Sequence, residues 1–144
     1  MYLCLNRKLK PRLSCKRHSL CVQIATDARY VTDEIMKKMS EIPIRPLRLA
    51  FDYLAIKDKY VNAVRLAHKY EIGDLSNYIL YNFHDSPSEL YERLKINVEL
   101  VEELGLHIYS FPMKYIPLFG EEAKGRDFIG KKWNKNLFAQ FNRF

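Results

Sequence analysis

Apolar residues recur along the chain in two alternating rhythms, short continuous runs and longer stretches spaced by three or four. The runs are Leu20-Cys21-Val22-Gln23-Ile24-Ala25, Leu47-Arg48-Leu49-Ala50-Phe51, Tyr78-Ile79-Leu80-Tyr81 and His107-Ile108-Tyr109-Ser110-Phe111. Short runs rich in β-branched and aromatic residues read as strands, and helical spacing reads as an amphipathic helix. This predicts strands near 20–25, 47–51, 77–82 and 107–111, with helices near 32–41, 57–70 and 87–104.

The helix ends carry their own signals. Thr32 precedes Asp33 and Glu34, and Lys37 and Lys38 come later. That order places an N-cap at Thr32 and complements the helix dipole. Pro43 and Pro46 close this first helix. In the second, Tyr60, Val61, Ala63, Val64 and Ala67 form the apolar stripe, and Gly73 frees the chain to turn afterwards. Ser86-Pro87-Ser88-Glu89 is a capping box with proline at the first helical position. Leu90, Leu94, Val98, Val101 and Leu104 follow at steps of three or four, and Gly105 ends the helix.

Strand starts recur roughly every 25–30 residues, one β/α unit each. Such units build parallel sheets, because each helix returns the chain to start a strand in the same direction. The expected fold is α/β: a partial (β/α) barrel of about four parallel strands, each followed by a helix or loop. Four units are about half of a ~250-residue barrel. Beyond Phe111, the residues Pro112, Pro117, Gly120, Gly125 and Gly130 mark an irregular segment, with a short closing helix expected at 134–142. Three regions result: a basic, poorly ordered arm at 1–17, the partial barrel at 18–119, and a basic C-terminal segment at 120–144.

Charge sharpens that division. The net charge is +7, with six Lys/Arg and no acid in 1–17 and six Lys/Arg against three acids in 120–144. The near-neutral middle and the lack of RNA-binding signatures argue against a nucleic-acid partner. No apolar run reaches the ~18 residues of a membrane span, and the start does not read as a signal peptide. Three cysteines, an odd number, agree with a reducing compartment, so a cytoplasmic protein is expected.

Few residues carry recognisable chemistry on spacing alone. Cys4, Cys15, His18 and Cys21 supply four soft groups, the number zinc needs, but their spacing matches no common finger. His68, His84 and His107 are not spaced for metal or triad work and read as structural. The segments after the strands are richer. Ligands of parallel α/β sheets bind at strand carboxyl ends. Thr26-Asp27-Ala28-Arg29, Phe51-Asp52-Tyr53, Asn77, Asn82-Phe83-His84-Asp85 and Ser110-Phe111-Pro112-Met113-Lys114 gather there. Carboxylate, amide, hydroxyl, cation and aromatic groups together suit a nucleoside.

These segments also resemble those of the radical S-adenosylmethionine (radical SAM) enzymes. Asp27-Ala28-Arg29-Tyr30-Val31-Thr32-Asp33-Glu34 is similar to the segment after that family's third barrel strand. Leu47-Arg48-Leu49-Ala50-Phe51-Asp52 is similar to its fourth strand, which ends in an acid. The stretch from Ser76 through Leu90 resembles the fifth strand and its loop. Ser110-Phe111-Pro112-Met113-Lys114-Tyr115-Ile116-Pro117 and Gly130-Lys131-Lys132-Trp133-Asn134 resemble one subgroup. The likeness spans about residues 22–135. It implies an S-adenosylmethionine site at Arg29, Asp52, Asn77, Asn82 and Ser110. Asp52 and Asn77 would face the ribose, Arg29 the methionine carboxylate, and the backbone near Tyr81 and Phe83 the adenine.

The family also binds a [4Fe–4S] cluster through a CxxxCxxC loop and generates a 5′-deoxyadenosyl radical. This chain has no CxxxCxxC, and Cys15 and Cys21 are separated by five residues. Three thiolates are needed for such a cluster. The resemblance therefore implies a cofactor half-site, not active alone, with S-adenosylmethionine binding weak or lost. A missing N-terminal half or a second copy would complete the barrel. The competing reading is a non-enzymatic α/β module that contacts nucleic acid or a protein through its basic tails.

Overall fold

Among the described residues, alternation of the two rhythms becomes four strands and three α-helices in the order β1 (Val22–Asp27), α1 (Asp33–Ser40), β2 (Ile44–Ala50), α2 (Lys57–Lys69), β3 (Asp74–Tyr81), α3 (Pro87–Leu104) and β4 (His107–Lys114). The structure, a computed structural model, describes residues 22–123, 125 and 127–136. The basic arm, the cysteines and His18 considered for zinc, and most of the closing helix lie outside the described residues. The strands form one sheet in the order β1-β2-β3-β4, every pair parallel. This is the expected α/β arrangement, a four-stranded parallel sheet with helices between the strands.

The caps behave as the residues dictate. The Thr32 hydroxyl accepts from the Ile35 amide. Ser86 accepts from Glu89 N–H while Glu89 reaches back to Ser86 N–H, a complete capping box. Gly105, at φ 64°, ends α3 in the left-handed conformation. After α2 the left-handed residue is Glu71, at φ 61°, rather than Gly73. β2 begins earlier than expected and takes Pro46 inside it. β4 runs past Phe111 and includes Pro112. As an edge strand it needs a ladder on one side only, which a proline tolerates.

All three helices pack on one sheet face. Leu47, Leu49, Phe51 and Leu75 from the strands join Met36 of α1, Tyr60, Ala63, Val64 and Ala67 of α2, and Ile96 and Leu100 of α3 in one buried cluster. The Phe51 and Tyr60 rings stack with centroids 4.2 Å apart. A smaller cluster at the strand ends holds Ile79, Tyr81, Leu90 and Trp133. Trp133 therefore brings part of the 120–144 segment back onto the sheet.

The opposite sheet face has no such layer among the described residues. Register aligns Ala25, Arg48, Ser76 and Tyr109 in one row and Asp27, Ala50, Tyr78 and Phe111 in the next. The Arg48 guanidinium lies over the Tyr78 ring, 5.6 Å from its centroid, and donates to the Tyr78 hydroxyl. Tyr109, Phe111 and Met113 stay exposed along β4 at 67%, 41% and 49%. This face is thus polar in its middle and apolar along one edge.

Candidate functional site

The carboxyl ends of β2 and β3 enclose a cavity of about 140 Å³. Asp52, Tyr53 and Leu54 form one wall, Leu80, Phe83, His84 and Asp85 the other, and Glu89 and Arg93 of α3 close it. Position explains the wall residues: the chain leaves a parallel strand here to begin its return.

Arg93 organises the floor. Its side chain is fully buried, and its ion-pair partner Asp85 is 9% exposed, at 2.6 Å. The guanidinium also donates to the carbonyls of Phe51 (3.2 Å), Leu80 (2.8 Å), Asp52 and Glu89 (3.3 Å). A planar fork with five donors suits this task in a way an ammonium cannot. Burial lowers the Arg93 pKa from its ordinary value, while the carboxylates of Asp85, Asp52 and Glu89 oppose that shift. With these Arg93 donors turned into the protein, the polar groups left along the walls are mainly acceptors. Asp52 takes one bond, from the Leu80 amide at 3.3 Å. The Phe83 ring lies tilted against those of His84 and Tyr115, with centroids 3.7 and 4.3 Å apart. A half-buried carboxylate between aromatic walls can accept from hydroxyls and flank a flat ring.

The five expected site residues are not brought together. Only Asp52 lines this cavity. Arg29 folds back onto Asp27, donating to both carboxylate oxygens at 2.6–3.1 Å, with half of its side chain in solvent. That pair lowers the Asp27 pKa, chiefly through the Arg29 hydrogen bond. Asn77 and Ser110 turn to the helix face. Asn77 Nδ2 donates to the Tyr60 hydroxyl (2.9 Å), Tyr60 donates to Asn97 Oδ1 (2.8 Å), and Asn97 Nδ2 donates to Ser110 Oγ (2.9 Å). This wire ties β3, α2, α3 and β4 together inside the molecule, and burial raises the Tyr60 pKa. Asn82 is also fully buried and spends its amide on the backbone of Tyr115, Phe128 and Gly130. Convergence of the five on one nucleoside is thereby corrected: strand pleat sends Asn77 and Ser110 to the face opposite Arg48 and Tyr78.

Arg93, Asp85, Tyr53 and Phe83 replace them as the residues around the cavity. His84, read as structural, is an exposed part of its wall. Arg93 left no signal in the sequence, since a charged residue on a helix reads as solvated. A second, shallower hollow of about 200 Å³ lies on the open face beside Asp27, Arg48 and Tyr78. Among the described residues no group of three or more His, Cys, Asp or Glu is placed to hold a metal ion, and no helix is long and apolar enough to cross a membrane. The chain matches no family model, no curated protein and no solved structure.

Proposed function

We propose that the chain is the later half of a radical SAM-like barrel, and that the β2–β3 rim cavity is the nucleoside side of an S-adenosylmethionine half-site. The observation that supports this most directly is that a carboxylate, Asp52, lines one cavity with the aromatic residues Tyr53 and Phe83 at the carboxyl edge of a parallel sheet. Asp52 would accept from ribose hydroxyls, and the aromatic side chains would flank the base. Arg29, Asn77, Asn82 and Ser110 have other partners and are left out of the site. The cluster does not fit: the chain lacks the CxxxCxxC loop. No radical step is assigned to this chain, and the methionine end of the cofactor has no anchor here.

The uncovered sheet face supports the same reading, because it is where the other half of a barrel would stand. Calorimetry on the whole chain tests the proposal. Adenosine and S-adenosylmethionine should bind with similar, weak affinity, on the order of 1 mM, and Asp52→Ala should weaken both. Absence of saturable binding, or affinity unchanged in Asp52→Ala, overturns it.

A further inference from the structure

The strongest unassigned arrangement lies beside the cavity, where the segment 127–133 crosses the end of β3. Asn82 sits there at φ 69°, fully buried. Its Nδ2 donates to the carbonyls of Tyr115 (3.1 Å) and Phe128 (3.0 Å), and its Oδ1 accepts from the Gly130 amide at 2.7 Å. A buried amide must find such partners, and this one finds two of its three in the crossing segment.

Gly130 is required for the approach. A Cβ there would lie 2.8 Å from the Asn82 carbonyl oxygen and 3.0 Å from that of Phe83. The crossing then continues to Trp133, whose amide donates to the Gly130 carbonyl (2.8 Å) and whose indole N–H donates to the Asp85 carbonyl (2.9 Å). The Trp133 ring packs on Tyr81, 5.4 Å between centroids. Asp85 is the residue that holds Arg93, and Phe83 and Asp85 are cavity walls.

We infer that residues 127–133 are a latch, that Asn82 is the keeper that fastens it, and that only the latched form presents the rim cavity. Asn82 is thus a positioning residue and touches no ligand. Coupling follows from mass action: a ligand that binds only the latched form must favour it, and loss of the latch must weaken the ligand. The coupling to ligand rests on the nucleoside reading above, whereas the latch itself does not.

Trp133 is the sole tryptophan of the chain and reports the latch directly. Two variants open it by different routes. Asn82→Gly keeps the left-handed backbone unstrained and removes the amide. Gly130→Ala keeps the amide and obstructs the approach. Both should shift Trp133 emission to the red while far-ultraviolet circular dichroism stays that of the wild type. In the wild-type chain, the Gly130 amide should exchange with solvent at least about 100-fold more slowly than an unprotected amide. Adenosine should slow it further, and Asn82→Gly should weaken adenosine binding at least about tenfold. Wild-type emission in both variants, or rapid exchange at Gly130 in the wild type, overturns the latch. Red-shifted emission with adenosine affinity unchanged overturns the coupling. If the wild type binds no adenosine, the nucleoside reading and the coupling fail together, and emission and exchange still decide the latch. Should either variant fail to fold, the wild-type exchange measurement decides alone.

Discussion

Arg93 and Tyr60 are the two polar side chains on which the interior turns. Arg93 satisfies strand-end carbonyls and the Asp85 carboxylate at once. Removing it takes the ion-pair partner from a largely buried carboxylate and leaves several carbonyls without this donor. Arg93→Ala should therefore cost about 3–5 kcal/mol, measured by urea unfolding. Arg93→Lys should recover little of that, since one ammonium cannot span the same partners. Tyr60 stands in the middle of the wire from Asn77 to Ser110, accepting on one side and donating on the other. With Asn77 donating to it, the Tyr60 hydroxyl gives its single proton to the Asn97 oxygen, which leaves the Asn97 nitrogen for Ser110. Tyr60→Phe leaves buried amide groups without a partner and should cost about 1–3 kcal/mol by the same measurement. Neither role was legible in the sequence. Hydrophobicity marks Tyr60 as a core ring but is silent about its hydroxyl, and it counts Arg93 as surface.

Helix α3 shows how an apolar stripe can mislead while the element itself is read correctly. Its caps were legible because they depend on neighbouring residues only: Ser86, Pro87, Glu89 and Gly105. Its buried face was not. The expected stripe ran through Leu94 and Val98, yet Val98 is 55% exposed, and Arg93 and Asn97 take the buried positions. Those two belong inward because the strand-end carbonyls and Ser110 wait there, which only the tertiary arrangement reveals. Likewise β3 starts at Asp74, before its apolar run, because the ladders to β2 and β4 carry it. The capping box has a consequence in pH. Hydrogen bonds from the Ser86 hydroxyl and amide hold the Glu89 carboxyl below its ordinary value of 4.5. A carboxylate so lowered contributes its stability above that ordinary value and loses it as pH falls through the lowered one. Ser86→Ala should cost about 1 kcal/mol near neutral pH. The gap between variant and wild type should then shrink as pH is taken below about 4.5. A gap constant with pH would mean that the hydroxyl caps α3 without tuning Glu89.

At the scale of the whole molecule the described residues layer the sheet on one side only, and its two faces should differ in energy accordingly. The helix-facing side chains are removed from water: Leu49 is 1% exposed and Val64 0%. Truncating such a residue loses its transfer energy and leaves a void, about 2–5 kcal/mol for Leu49→Ala. The residues of β4 on the other face lose far less on unfolding, because Tyr109 and Met113 are already largely in water. Tyr109→Ser and Met113→Ser should therefore shift stability by no more than about 0.5 kcal/mol. Parallel sheets are ordinarily covered on both faces, whereas the described residues cover one. The parallel α/β topology was legible from the β/α rhythm, but the polar middle of this face was not, because Arg48 and Tyr78 sit within runs that read as apolar strands and Ser76 lies just before one. Urea unfolding of Leu49→Ala beside Tyr109→Ser and Met113→Ser, in one buffer and at several protein concentrations, checks the expectation. A cost from the β4 variants comparable with that of Leu49→Ala, and rising with protein concentration, would show that the open face is buried between copies of the chain. Costs near zero at every concentration would show that β4 keeps this face in solvent in the isolated chain.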